Sequence, residues 1–275
     1  MSSFAAVEDL EIALLLEAIY SHYGFDFRGY APASLKRRLR KKVRDENLRS
    51  LSGLQELVLH DPAAMERLVL DLSVNVTSMF RDPSFYSAFR EKVVPLLKTY
   101  PFIRIWNAGC STGEEVYSMA IVLHEEGLYE RTRIYATDIN DAVLGRAQVG
   151  RVGLDKMREY TSNYIHAGGK RAFSEYYVVE GGEACLRPAL LANVVFAQHN
   201  LVSDGSFNEF NAIVCRNVMI YFSRSLQDHV HSLLYESLTR FGVLALGRRE
   251  SLKFTAIEDR YQELDAGEKL YRKVA

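Results

Sequence analysis

The sequence predicts an α/β protein in which a helical leader precedes a mostly parallel β-sheet covered by helices on both faces. Three observations carry this. Apolar residues recur at helical spacing from residue 8 to residue 98, and strand-like and helix-like runs alternate from Tyr100-Pro101 onward. The first strand run then ends in a glycine-bearing turn, GCSTGEE (109–115), that opens a helix.

In the leader, Leu10, Leu14, Leu15 and Ala18 repeat at helical spacing, as do Leu35, Leu39 and Val43, then Leu54, Leu57 and Val58, then Met65, Leu68, Val69 and Leu72. Gly24, Gly29, Pro32, Gly53 and Asp61-Pro62 punctuate these runs. Asp82-Pro83 predicts a further helix start, with Asp82 as N-cap and Pro83 where its missing N–H costs nothing, and this helix should reach about Lys98. IRIWNAG (103–109) reads as the first strand, EEVYSMAIVLHEE (114–126) as a helix stopped by Gly127, and RIYATDI (133–139) as the second strand before a helix near 141–149. NVVFAQHNL (193–201), FNAIVCRNVMIYF (210–222) and FGVLALG (241–247) supply further strands, with SLQDHVHSLLYESLTR (225–240) a helix before the last. Residues 150–190 break the rhythm; AFSEYYVVE and EACLRPA predict a small β insertion or a lid.

A chain of 275 residues, 48% hydrophobic and 25% charged, has material for one large core or two modest ones. Its net charge of −1 gives no global attraction to nucleic acid or to an anionic membrane. Cys110, Cys185 and Cys215 are odd in number and form no C-x-x-C pair, which argues against a disulfide framework or a structural zinc site and for a reducing, cytoplasmic setting; no metal is expected. No run approaches the roughly 20 apolar residues of a membrane span, so no membrane insertion is expected.

GCSTGEE admits two readings. As G-x-S-x-G it is a hydrolase nucleophile elbow, and Ser111, Asp138 and His199 even follow in the required chain order. An elbow serine, however, follows several strands of an established sheet, whereas here the turn ends the first strand and no HGGG-type segment precedes it. As a strand-to-helix turn it is a cradle for a nucleoside cofactor, with small residues at 109, 111, 112 and 113 and backbone N–H groups at the helix start. Glu114 and Glu115 would repel a pyrophosphate, and the G-x-G-x-x-G spacing is absent. A cationic, phosphate-free nucleoside such as S-adenosylmethionine fits better. Asp138, at the end of the second strand, stands where an acid accepts hydrogen bonds from ribose hydroxyls.

Five segments in order, NVTSMFRD (75–82), RIWNAGCSTGEEVYSMAI (104–121), ATDIN (136–140), HNL (199–201) and CRNVMIYF (215–222), resemble the chemotaxis receptor methyltransferases, the CheR family of protein-glutamate O-methyltransferases. The resemblance is collinear over nearly the whole chain. It implies a helical N-terminal domain (1–80) on a class I S-adenosylmethionine-dependent methyltransferase domain of Rossmann-like type (81–275), with a β-subdomain at about 160–195. It also implies that S-adenosylmethionine is converted to S-adenosylhomocysteine and that Asn75, Thr77 and Arg81 reach this cofactor. Gly109, Glu115, Asp138, Asn200, Leu201, Asn217 and Val218 would line the remainder of its site, Arg81 would hold either the cofactor carboxylate or the incoming glutamate, and Tyr221 would help orient the acceptor carboxylate. Where the family commonly reads G-H-S-E, this chain has Gly247-Arg248-Arg249-Glu250.

SLKRRLRKKVRDENLRS (34–50) is strongly basic. It reads as a solvated helix face, as an RNA contact, or, as the resemblance implies, as a contact of Arg37, Arg38, Arg40, Lys41 and Arg44 with the acidic cytoplasmic helices of chemoreceptors. The near-neutral total charge and the lack of interleaved aromatic residues disfavour nucleic acid. A non-catalytic adaptor that keeps the fold is a further reading; the presence of Arg81, Asp138 and Tyr221 argues against it.

Overall fold

The computed structural model describes residues 3–73 and 77–274. The chain forms two compact units, Met1–Val74 with Tyr221–Val230, and Asn75–Ile220 with His231–Ala275.

The smaller unit carries α1 (Ser3–Tyr23), α2 (Pro32–Asp45), α3 (Leu51–His60) and α4 (Pro62–Leu72). Local signals set three of the starts: Pro32 and Pro62 stand in the first helical turn, the Ser50 hydroxyl accepts from the Gly53 N–H, and the Asp61 carboxylate accepts from the Ala63 N–H. The core is sealed by Leu15, Ile19, Leu39, Leu54, Val58 and Leu68, all fully buried. The buried face of α1 is rotated from the one its leucine spacing suggests: Leu15, Leu16 and Ile19 point inward, while Leu10 and Leu14 are 59% and 52% exposed. Residues 221–230 join this unit through an antiparallel bridge between Tyr30 and Phe222, whose rings are 5.0 Å apart. The cations of α2 are largely spoken for. Hydrogen bonds from Arg40, then Lys36, hold the Glu8 carboxyl at about 2, Lys41 pairs with Asp45 at 3.0 Å, and buried Lys42 pairs with Asp71 at 2.8 Å. Arg38 turns inward, donating to the Leu72 carbonyl and lying 4.5 Å over the Tyr221 ring. Arg37 and Arg44 remain exposed, with no ion pair among the described residues.

The larger unit opens with α5 (Pro83–Ala88), a π-helical turn (Phe89–Val93) and α6 (Val94–Leu97), where the sequence suggests one unbroken helix. The widened turn lies just ahead of Pro95, which has no N–H to give and whose ring would strike the carbonyl four residues back. Pro83 starts α5, but Asp82 does not cap it. Its φ is +56°, and its carboxylate pairs with Arg216 instead.

Next come β1 (Ile103–Ala108), α7 (Glu114–Glu125), β2 (Thr132–Asp138), α8 (Asp141–Val149), β3 (Arg151–Gly153), α9 (Leu154–His166), β4 (Tyr177–Glu180), β5 (Glu183–Leu186) and β6 (Val194–Gln198). They are followed by β7 (Phe210–Cys215), α10 (Arg224–Glu236), β8 (Leu238–Leu246), β9 (Tyr261–Asp265) and β10 (Leu270–Lys273). The main sheet has the order β6-β2-β1-β7-β8-β10-β9. β6, β2, β1, β7 and β8 are parallel, and β10 pairs antiparallel with both β8 and β9. This is the class I methyltransferase arrangement, with the strand order reversing between β1 and β7, where such sheets open a ligand crevice beyond the strands' carboxyl ends. The insertion is a three-stranded sheet, β3-β5-β4, with α9 beside it. It is tied to α7 by the fully buried side chain of Glu125, which receives the Tyr176 hydroxyl at 2.9 Å, the Tyr164 hydroxyl and the Arg90 guanidinium. The FNAIVCRNVMIYF run is strand only to Cys215, because Asn217 takes φ +62° and turns the chain. Among the described residues no helix is long and apolar enough to cross a membrane.

Candidate functional site

The reversal point is built from the carboxyl ends of β1, β2, β6 and β7. Past β1 the chain takes positive φ at Gly109 (+75°), Ser111 (+51°) and Gly113 (+92°), and α7 starts. Gly109 is required twice over. Its φ is unfavourable for other residues, and a Cβ there would lie 2.5 Å from Val218 Cγ2. Gly109→Ala is therefore expected to lower stability by about 1–3 kcal/mol in urea denaturation, as overpacking by one methyl does.

The turn does not offer a row of free donors. The Gly109 and Cys110 N–H groups go to the Thr137 carbonyl at 2.8 and 2.9 Å, and the Gly113 N–H goes to the Cys110 carbonyl at 3.0 Å. The Ser111 N–H goes to Asp138 Oδ2 at 2.9 Å. A phosphate would find these four amides taken.

The hydrolase reading fails on the same geometry. Ser111 has the positive φ of an elbow, but its buried Oγ has no partner. Asp138 bonds to the Ser111 and Asn140 backbone N–H groups. His199 Nε2 lies 3.1 Å from the Gly205 carbonyl and its Nδ1 has no partner. No nucleophile–base–acid chain forms.

Asp138 ends β2 and is 7% exposed. Burial pushes its carboxyl above the ordinary range, and the amides of Ser111, Asn140 and Ile139 draw it part of the way back. These amides leave room on the carboxylate's lone pairs for a further donor. Asn200 and Leu201 lie in a turn just past β6 rather than on the strand. Asn200 Oδ1 accepts the Val202 N–H at 3.0 Å, and Leu201 is 7% exposed. Beside Asp138, the His199 N–H donates to the Asp138 carbonyl at 3.1 Å, which anchors this wall to β2.

On the other side of the reversal, Glu115 Oε1 accepts from Asn107 Nδ2 at 3.2 Å and Oε2 pairs with Arg216 at 2.8 Å. Arg216 was not singled out by sequence. Its side chain is 2% exposed, bridges Glu115 and Asp82 at 2.8 Å each, and lies 3.9 Å over the Phe85 ring. Its guanidinium also donates to the Arg81 carbonyl at 3.4 Å, so the segment carrying Arg81 is fixed from β7. Arg81 and Thr77 are half-buried on that segment, while Asn75 lies outside the described residues.

Asn217 and Val218 form the turn after β7. Glu250, also missed by sequence, accepts four backbone N–H groups there and beside it: Gly247 at 2.6 Å, Asn217 at 2.9 Å, Val218 at 2.9 Å and Met219 at 2.8 Å. Tyr221 groups with the smaller unit, beneath the Arg38 guanidinium.

The residues fit a polar nucleoside. Asn107 Oδ1, Ser111 Oγ, Asn140 Nδ2 and His199 Nδ1 are buried without partners, and all four stand at the carboxyl ends of β1, β2 and β6. Such a cluster of unmet buried polar groups is the imprint of a hydrogen-bonding ligand.

The family model described as CheR methyltransferase, SAM binding domain, matches residues 75–268, and that described as CheR methyltransferase, all-alpha domain, matches residues 10–73. A Pseudomonas putida protein bearing the name Cher3 is 51% identical over 265 residues, covering 96% of this chain and 97% of that protein. The chemotaxis protein methyltransferase of Listeria monocytogenes is 28% identical over 231 residues, 83% of this chain and 85% of that one. Chemotaxis protein methyltransferase 1 of Pseudomonas aeruginosa is 29% identical over 241 residues, 82% and 83% of the two chains.

Proposed function

This chain belongs to the CheR methyltransferase family and is an S-adenosylmethionine-dependent methyltransferase, and from that premise we propose that it methylates glutamate side-chain carboxylates on the cytoplasmic helices of chemoreceptors, forming methyl esters in the cytoplasm. The cofactor, when bound, supplies a methyl group on a cationic sulfur that a nucleophile can take by displacement.

One observation carries the choice of acceptor. No acid–base pair is assembled among the described crevice residues: Asp138 is held by amides, Glu115 by Arg216, and His199 faces no acid. A hydroxyl or a protonated amine acceptor must lose a proton for transfer and calls for a base. A glutamate, with an ordinary pKa of about 4.3, is already anionic at neutral pH. The protein's task is then alignment and exclusion of water.

The roles follow from chemistry. Asp138 accepts from the ribose hydroxyls, Asn200 and Leu201 wall the adenine side, and Asn217 and Val218 wall the methionine side. Glu115 suits the cofactor's ammonium end, and Gly109 lets Val218 pack against the turn that carries it. Asn75, Thr77 and Arg81 reach the cofactor, Arg81 holding either the cofactor's carboxylate or the incoming glutamate bidentately, and Tyr221 orients the acceptor carboxylate through its hydroxyl. Arg37 and Arg44, exposed and unneutralised, are the α2 cations best able to meet an acidic receptor helix.

Transfer of a radiolabelled methyl group to receptor fragments, followed by mild base, tests the reading. Volatile labelled methanol is expected, since esters hydrolyse and N-methyl products do not. Base-stable label would overturn it.

A further inference from the structure

We propose that Glu250 is a positioning residue for the cofactor: from outside the crevice it sets the backbone of the turn 216–219 against the turn at Gly109. This rests on the reading of Asn217 and Val218 as a cofactor wall.

Glu250 is 5% exposed, and all the hydrogen bonds its carboxylate accepts come from backbone. Oε2 accepts the Gly247 and Asn217 N–H groups, and Oε1 those of Val218 and Met219. Four amides is the full complement of a carboxylate's lone pairs. Three of them come from consecutive residues of a turn whose first member is at φ +62°, a left-handed conformation that asparagine tolerates better than most residues and that these bonds hold in place. From Val218 the contact passes on, because its side chain occupies the space a Cβ would need at Gly109. Glu250 thus fixes the β7 turn, and the β7 turn packs on the β1 turn, across the reversal point of the sheet.

Gly247 is part of the same device. A Cβ there would stand 2.7 Å from Glu250 Oε2 and 2.8 Å from the Asn217 nitrogen. Between them, Arg248 and Arg249 are exposed, and Arg248 pairs outward with Glu268 at 2.6 Å. The departure from G-H-S-E thus leaves the clamp intact: Arg249 is exposed, Arg248 bonds Glu268 and the Ser84 hydroxyl, and the glycine and the glutamate that remain carry the four-amide contact.

The test compares S-adenosylhomocysteine binding by calorimetry in full-length wild type, Glu250→Gln, Gly247→Ala and Glu125→Gln, with urea midpoints measured alongside. In Glu250→Gln the amide nitrogen must face two of the four N–H donors. Affinity should therefore fall about tenfold or more, since a buried donor left facing a donor costs at least that. Gly247→Ala moves the same turn without touching the carboxylate's charge and should weaken binding likewise. Glu125→Gln removes an equally buried carboxylate from the insertion's anchor; it should lower the midpoint and leave affinity unchanged. The KM for S-adenosylmethionine should rise in the first two variants with a smaller change in kcat. Wild-type affinity in Glu250→Gln, or in Gly247→Ala if the first variant does not fold, overturns the proposal. An affinity loss in Glu125→Gln equal to that in Glu250→Gln also overturns it, by showing that general loosening suffices. Wild-type affinity in Asn217→Ala would instead sink the reading of the wall itself.

Discussion

Asp138→Ala should abolish measurable S-adenosylhomocysteine binding, raising Kd by about 100-fold or more, because hydrogen bonds to a buried carboxylate are worth roughly 1.5–3 kcal/mol each. The same carboxylate holds the Ser111 and Asn140 amides, so its loss also frees the turn after β1 and the start of α8. Calorimetry on the folded variant decides it, and binding within tenfold of wild type would remove Asp138 from the site. The wild-type protein should give a matching pH signature. Burial raises the Asp138 pKa, so the folded apo protein holds this proton more tightly than the unfolded chain does. As pH falls from neutral toward the ordinary carboxylate range, this group therefore adds stability to the apo fold. Ribose hydroxyls need the ionised form, so affinity should fall over the same window while binding releases a proton. Asp138→Asn should flatten that pH slope.

Arg216→Met should cost the most stability, about 3 kcal/mol, near the lower end for breaking a buried ion pair. The lower end applies because the two carboxylates left behind, those of Glu115 and Asp82, are 18% and 29% exposed and can recover some hydration. Urea denaturation measures it, and a loss under about 1 kcal/mol would assign the pair to the class of surface bridges. Cofactor affinity should fall as well, since Glu115 loses the partner that orients it and the Arg81 carbonyl loses its donor.

The ends of the first two strands could be read without coordinates, Gly109 as the glycine that closes IRIWNAG and Asp138 as the acid near the end of RIYATDI, whereas the end of β7 could not, because its apolar run continues to Phe222 past the turn at Asn217. Ser111 looks nucleophilic only in one dimension; in space it has no base. The helix 154–166 and the hairpin 261–273 escaped notice for a different reason. The first is punctuated by polar residues over a short run, and the second is made of brief strands that gain their partners only from β8 and each other. The clamp at Glu250 left one faint trace, a glycine and a glutamate standing where a family pattern has them while their neighbours differ.

By itself the sequence determined the helical leader, the strand–helix alternation and the glycine-bearing turn after β1, because each is written in spacings of a few residues and in the φ preferences of Gly and Pro. Only the tertiary structure decided which buried charges hold those pieces in place. Arg216 meets Glu115 across 101 positions and Glu250 meets Asn217 across 33. Folding brings such groups together through sheet order and burial, and no local periodicity records which carboxylate will be left inside facing which donor.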